Sequence, residues 1–139
     1  MVIRAAKLSD AIAIGFLLTQ LGYPAHSDFV KRKIDFFGSS GYKLLVCELD
    51  GKAVAFASLH SFDMFHSEKK MGRITALCVD ENVRDQGIGG ILLKAVESYF
   101  AEEQCSYVEV TTNVSRLLTP GFYLKHGYVE NSRRFVKSI

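Results

Sequence analysis

Gly87, Gly89 and Gly90 fall within four residues of one another in the stretch VRDQGIGGILL, directly ahead of an apolar run with helical period. Glycine in a helix is unfavourable by about 1 kcal/mol per residue relative to alanine. Gathering it at one helix start means either that the turn needs unusual backbone angles or that something must come very close to the main chain. The preceding stretch, GRITALCVD, reads as a strand. In the following one, Ile91, Leu92, Ala95, Val96, Tyr99 and Phe100 fall on one side of a helix, with Lys94, Glu97, Ser98, Glu102 and Glu103 elsewhere. A strand, a glycine-rich turn and a helix in that order require a sheet with helices packed on it.

The rest of the chain fits that requirement. VIRAA reads as a first strand. Ser9 or Asp10 can cap a helix through about Gln20, with Ile12, Phe16 and Leu17 on one face and Gly22 as its stop. Ser27 can cap a second helix, with Phe29, Val30, Ile34 and Phe37 at helical spacing. YKLLVCEL and AVAFASLHSF are strands joined through Asp50-Gly51, a hairpin signal. YVEVTT alternates as a strand. Thr119 can cap a short helix with Pro120 at its first position and Gly127 after its end. YVE and RRFVKS read as two closing strands. The expected architecture is α/β (α+β): one domain over residues 1–139, with a mixed sheet of about seven strands flanked by about four helices.

Composition narrows the function classes. A chain of 139 residues that is 48% apolar has material for a real core. A net charge of +2 gives no electrostatic case for nucleic acid. No window reaches the roughly 18 apolar residues of a membrane span, and MVIRAAKLSD lacks a signal-peptide layout. Cys47, Cys78 and Cys105 are odd in number, widely spaced and set among apolar residues. They read as buried reduced thiols of a cytoplasmic protein, with no metal site.

In physical terms the glycine-rich turn is a phosphate cradle. It presents free backbone N–H groups at a helix N-terminus, where the macrodipole favours negative charge. Two other phosphate loops fit poorly. The P-loop needs Lys then Ser or Thr after its last glycine, where this chain has Ile91 and Leu92. The dinucleotide fingerprint needs G-x-G-x-x-G early in the chain, where this chain has G-x-G-G late.

The segment ALCVDENVRDQGIGGILLKAVESYF resembles the acyl-CoA-binding motif of the GNAT superfamily, the acetyl-CoA-dependent N-acetyltransferases. Leu77, Val79, Arg84, Gly87 and Gly89 match that motif at its spacing. A second motif agrees through Thr111, Asn113, Arg116, Phe122, Tyr123, Gly127 and Tyr128. Chain length and element order match the family's compact fold, whose central strands splay apart.

The resemblance implies a role for each element. The backbone of Arg84, Asp85, Gln86, Gly87, Ile88, Gly89 and Gly90 would bind the CoA pyrophosphate. The main chain of Leu77, Cys78 and Val79 would pair with the pantetheine arm like an added strand. The N–H nearest the thioester would hold the developing oxyanion. Asn113 would bond the pantetheine amides. Tyr123 would protonate the departing thiolate, a reasonable match of a phenol near pKa 10 to a thiol near 8.5. The chain departs from the family at Thr119-Pro120-Gly121, where members often carry Ala-His.

The sequence leaves the general base open among His66, Glu68, Asp63, His60, Glu48 and water. Each of these residues also reads as ordinary surface polarity. Tyr23, Phe29, Phe36, Phe62 and Phe65 line an acceptor pocket or belong to the core. Arg116, Lys125, His126, Arg133, Arg134 and Lys137 read as a solvated face or, alternatively, as an attraction for the CoA 3′-phosphate or an acidic acceptor. A covalent route through Cys78 lacks a base partner. The expected activity is transfer of an acetyl group from acetyl-CoA to a small-molecule or peptide primary amine, by direct attack in a ternary complex. The rival is a non-catalytic acyl-CoA-binding sensor or assembly module. Neither nucleic acid nor membrane is an expected partner, and a homodimer stays open.

Overall fold

The computed structural model describes residues 1–112 and 119–139. Among the described residues, five strands form one sheet in sequence order: β1 (Val2–Ala5), β2 (Tyr42–Leu49), β3 (Lys52–Phe62), β4 (Lys70–Val79) and β5 (Cys105–Val110). Pairing is antiparallel through β4, and β4 and β5 are parallel. Helices α1 (Ala11–Leu21) and α2 (Ser27–Phe36) connect β1 to β2. Helix α3 (Ile88–Glu102) makes the crossover that parallel β4 and β5 need, and α4 (Thr119–Lys125) follows β5. The mixed sheet flanked by helices is as expected, with five strands in place of about seven. Residues 129–139, read above as closing strands, form no regular element and are exposed throughout.

Two apolar layers hold the sheet. On one face Ala11, Ile14 and Leu17 of α1 and Val30 and Ile34 of α2 pack on Leu44, Val46, Phe56 and Cys78. On the other, Ile88, Leu92, Leu93, Val96 and Phe100 of α3 and Tyr123 of α4 pack on Leu45, Ala57, Leu59 and Ile74. The α1 reading is corrected here. Leu17 is buried, but Ile12 is 79% exposed and Phe16 is 57% exposed. Apolar residues occupy both sides of this helix, so the period alone chose the wrong one. The α2 cap is His26, whose Nδ1 accepts from the Asp28 N–H (3.2 Å), and not Ser27. Asp50 (φ 50) and Gly51 (φ 78) do make the hairpin turn between β2 and β3. Gly22 (φ 99) ends α1, and Gly127 (φ 89) follows α4.

A buried carboxylate ties β1 to the start of α1. Arg4 donates to both Asp10 oxygens (2.8 and 2.9 Å) and to Glu48 (2.9 Å), while the Lys7 N–H donates to Asp10 (2.7 Å). Bonding to Arg4 holds the Asp10 carboxyl below the usual carboxylate range. A lowered folded-state value stabilises the fold above the unfolded value near pH 4 and is lost as pH falls through the folded one. Arg4→Met strands the Asp10 charge and is expected to destabilise by about 3 kcal/mol. Urea unfolding checks this. The deficit should be full near neutral pH and shrink in acid, as Asp10 protonates in the wild type too.

Candidate active site

The parallel ladder between β4 and β5 runs from Lys70↔Cys105 to Ile74↔Val110, and among the described residues β4 continues without a partner strand on that side to Val79. A bulge precedes the separation: Ser58 pairs with Ala76 and Leu59 with Ile74, leaving Thr75 as the extra residue. Thr75 Oγ1 donates to the Ser58 carbonyl (3.1 Å), and the two hydroxyls lie 2.7 Å apart. Among the described residues, 75–79 are thus a stretch of β4 left open on the side of β5.

Backbone alternation decides what this stretch presents. The Asp80 N–H donates to the Val54 carbonyl (2.8 Å), so Asp80 and Cys78 direct their main-chain groups at β3. Leu77 and Val79 direct theirs toward the open side. The Val79 carbonyl is taken by Arg84 Nε (3.0 Å). Arg84 thereby braces the end of β4, a task its sequence position did not suggest. Cys78 is buried, and its thiol donates to the Leu17 carbonyl (3.4 Å). It is a core residue on the α1–α2 face.

Past β4, Asp85 (φ 64) and Gly87 (φ 78) both adopt left-handed backbone, and α3 begins with no side-chain cap. Alternation of handedness in such a loop turns successive N–H groups toward one side, as an anion nest does. The three glycines have different purposes. A side chain at Gly87 would meet nothing within 4 Å; the positive φ is what needs glycine there. A Cβ at Gly89 would lie 3.1 Å from the Phe122 ring, and one at Gly90 would lie 2.9 Å from His126 Nε2. These two let α4 dock directly on the first turn of α3, so only Gly87 is explained by the exposed loop itself.

Tyr123 belongs to the same apolar layer as Ile88, and Leu77 and Val79 pack against that layer. Tyr123 is 7% exposed and makes edge contacts with Phe122 (5.1 Å) and Tyr128 (5.5 Å). Burial pushes its hydroxyl up to about 12. Asn113 and Arg116 lie outside the described residues. Among the described residues there is no group of three His, Cys, Asp or Glu side chains suited to a metal.

The base candidates separate by position. Asp63, His66 and Glu68 precede Lys70, at the end of β4 away from the open stretch; Asp63 and Glu68 border a hollow with Glu103. Glu48 is engaged by Arg4 on the far side of the sheet. His60 alone is close, since it pairs with Arg73 one residue before the ladder ends. Its ring stacks on Tyr42 (4.3 Å), and burial, with Arg73 nearby, lowers its pKa. Glu109, to which the sequence assigns no role, pairs in register with Arg73 and is salt-bridged to it at the same place. The approach of β5 to β4 creates this pair, and nothing local in the sequence announces it. Of the aromatics, Tyr23, Phe36 and Phe65 are exposed. Phe29 helps line a cavity of about 210 Å³ with Lys33, Ser58 and Ala76, on the α1–α2 side of the open stretch of β4.

Residues 13–128 match the Acetyltransferase (GNAT) family. The chain belongs to the GNAT acetyltransferase family. An aminoalkylphosphonate N-acetyltransferase of Salmonella typhimurium is 30% identical over 130 residues, 93% of this chain and 82% of that one. A GNAT family acetyltransferase of Staphylococcus aureus superposes with a TM-score of 0.84 at 20% identity, covering 99% of this chain and 98% of its own. A transcriptional regulator of Bacillus halodurans reaches 0.90 at 16% identity over 99% of each chain. Both of these structural likenesses are of fold alone. As a GNAT protein the chain is an acyltransferase, of a family that moves acetyl groups to amines from acetyl-CoA. No helix among the described residues is long and apolar enough to cross a membrane.

Proposed function

We propose that the chain, acting as one domain over residues 1–139, transfers acetyl from acetyl-CoA to a small primary amine by direct attack in a ternary complex. What supports this reading is one set of features: the stretch of β4 without a partner strand among the described residues, the uncapped start of α3, and Tyr123 in the apolar layer against which Leu77 and Val79 pack. The residues suit the cosubstrate. The N–H groups from Asp85 to Gly90 form a cradle for its pyrophosphate. The Leu77 main chain and the Val79 N–H offer strand-like bonds to its pantetheine arm. Bound there, acetyl-CoA supplies the thioester carbonyl that the amine attacks. An N–H of the open β4 stretch stabilises the oxygen that gains charge, and Tyr123 gives its proton to the leaving sulfur. The incoming amine sheds its proton to water or to His60, whose lowered pKa leaves the ring neutral at neutral pH.

The acceptor's body fits the cavity next to Ser58 and Ala76. Its lining is apolar with Lys33 as its one charge, which suits an acceptor without a second cation. The named substrate of the Salmonella relative, an amine joined to an anionic group, is consistent with that charge. Screening amines for thiol release from acetyl-CoA tests the reading. Turnover of at least one amine is expected, and acetyl-CoA binding without turnover across a broad panel would put a sensor in its place.

Cofactor binding has its own test. Gly87→Asn and Gly87→Asp place similar side chains in open space at a left-handed position that both tolerate. Only the second adds negative charge. By calorimetry, Gly87→Asp is expected to bind acetyl-CoA more than tenfold more weakly than Gly87→Asn, above about 1.4 kcal/mol. Equal affinities would remove the phosphates from this loop.

A further inference from the structure

The cavity between α2 and the sheet has two polar side chains in an otherwise apolar lining, Ser58 and Lys33. Ser58 lies on β3, in register with Ala76 of the open stretch of β4. Lys33 lies in the last turn of α2. They belong to different elements and offer opposite chemistry.

The hydrogens around Ser58 can be assigned. Thr75 has a single hydroxyl hydrogen, and it goes to the Ser58 carbonyl (3.1 Å). The 2.7 Å contact between the two hydroxyls therefore uses the hydrogen of Ser58. With that hydrogen committed to Thr75, Ser58 Oγ has only lone pairs to offer. No further hydrogen bond reaches it among the described residues. The bulge makes the arrangement possible, since Thr75 is the extra residue of β4 and has no register partner on β3. A fixed acceptor at this place suits an N–H. Lys33 is the complement. Its ammonium lies 5.6 Å from the centre of the Phe29 ring and 5.9 Å from that of Phe36. Among the described residues no carboxylate pairs with it, so its charge is open to an anion.

Building on the acetyl-transfer reading above, we propose that the acceptor lies in this cavity with its nitrogen on Ser58 and an anionic group at Lys33. The substrate class is then a primary amine joined to an anion through a short apolar spacer. Ser58 Oγ accepts one amine N–H, which leaves the nitrogen lone pair for the thioester carbon. As nitrogen bonds to that carbon it gains positive charge, and an N–H on a charged nitrogen makes the stronger hydrogen bond. The gain belongs to the transition state, so Ser58 acts on kcat more than on KM. Thr75 acts only through Ser58, by fixing its hydrogen.

Steady-state kinetics on the full chain test this, with ω-amino carboxylates, aminoalkyl phosphates and the matching uncharged alkylamines as acceptors. The unaltered chain should favour the anionic amines by kcat/KM. Ser58→Ala should lower kcat about tenfold, the scale of one hydrogen bond to a charged group, with KM and acetyl-CoA affinity near the original values. Thr75→Val should lower kcat less, and the double variant should be no slower than Ser58→Ala. Lys33→Met should cut the preference for anionic acceptors severalfold. Thermal unfolding accompanies each variant. If Ser58→Ala does not fold, Thr75→Val decides, since it leaves Ser58 in place, and an unchanged kcat there overturns the proposal. An unchanged kcat in Ser58→Ala, additive losses in the double variant, or a preference untouched by Lys33→Met also overturns it. So does a chain that favours alkylamines or polyamines, while acetyl transfer itself still stands. Failure to acetylate any amine removes acetyl transfer, and this assignment with it.

Discussion

Replacing Tyr123 with phenylalanine is expected to lower turnover about 100-fold, the low end for loss of a general acid, while acetyl-CoA affinity stays near the wild-type value. The ring is buried between Phe122 and Tyr128, and the substitution keeps it. Stability should fall by about 1 kcal/mol at most, the scale of one hydrogen bond. Burial raises the hydroxyl to about 12, so it stays protonated across the neutral and mildly alkaline range. An alkaline fall in activity below about pH 10 therefore belongs to another group. Stability held by the neutral phenol is present below its ordinary value near 10 and declines as pH rises toward 12; the phenylalanine variant lacks that decline. Thiol-release kinetics beside calorimetry decide the matter. Full activity in the variant would take Tyr123 out of the chemistry, and joint loss of binding and folding would make it a packing residue only.

A larger effect on stability is expected at Gly72. A Cβ there would stand 2.6 Å from two atoms of the Phe100 ring, and Phe100 is almost fully buried at the end of α3. The ring has nowhere to retreat, so Gly72→Val should destabilise by about 3 kcal/mol, the upper part of the range for overpacking. That corresponds to roughly 10 °C in Tm for a domain of this size. Phe100→Leu in the same chain should return part of the loss, and a double-mutant cycle by urea unfolding would show the coupling. Additive effects would mean that the ring is not the obstacle. Gly72 is two residues from the end of the β4–β5 ladder, so the same contact helps set where the strands part.

These two residues also show what could be read in advance. The place of Tyr123 on a short helix closed by Gly127 was legible because that pattern is local, with the aromatic pair at fixed spacing. The β4–turn–α3 unit and the Asp50-Gly51 hairpin were legible for the same reason. Gly72 was not, because its meaning depends on Phe100, 28 residues later in the chain. Glu109 acquires a place beside the open stretch only because parallel pairing sets it against Arg73. The bulge at Thr75 depends on a slip against β3 that no local pattern encodes. On α1, Ala11 and Ile14 are buried while Ile12 and Phe16 face water, and a helix apolar on both sides gives periodicity no way to choose. The expected closing strands did not form for a related reason: strand propensity specifies a conformation, and a strand also needs an edge to pair with.

Gly89 and Gly90 have a consequence beyond close packing. With no side chains between them, the first turn of α3 and the aromatic side of α4 behave as a single joint. On the proposed reading, one half of that joint grips phosphate and the other carries a proton. The span between grip and proton is then set by backbone contact, and no flexible side chain can stretch it. Such a device works like a fixed gauge: it favours an acyl carrier whose sulfur lies at the right reach from its phosphates and is slack toward carriers that are shorter or longer.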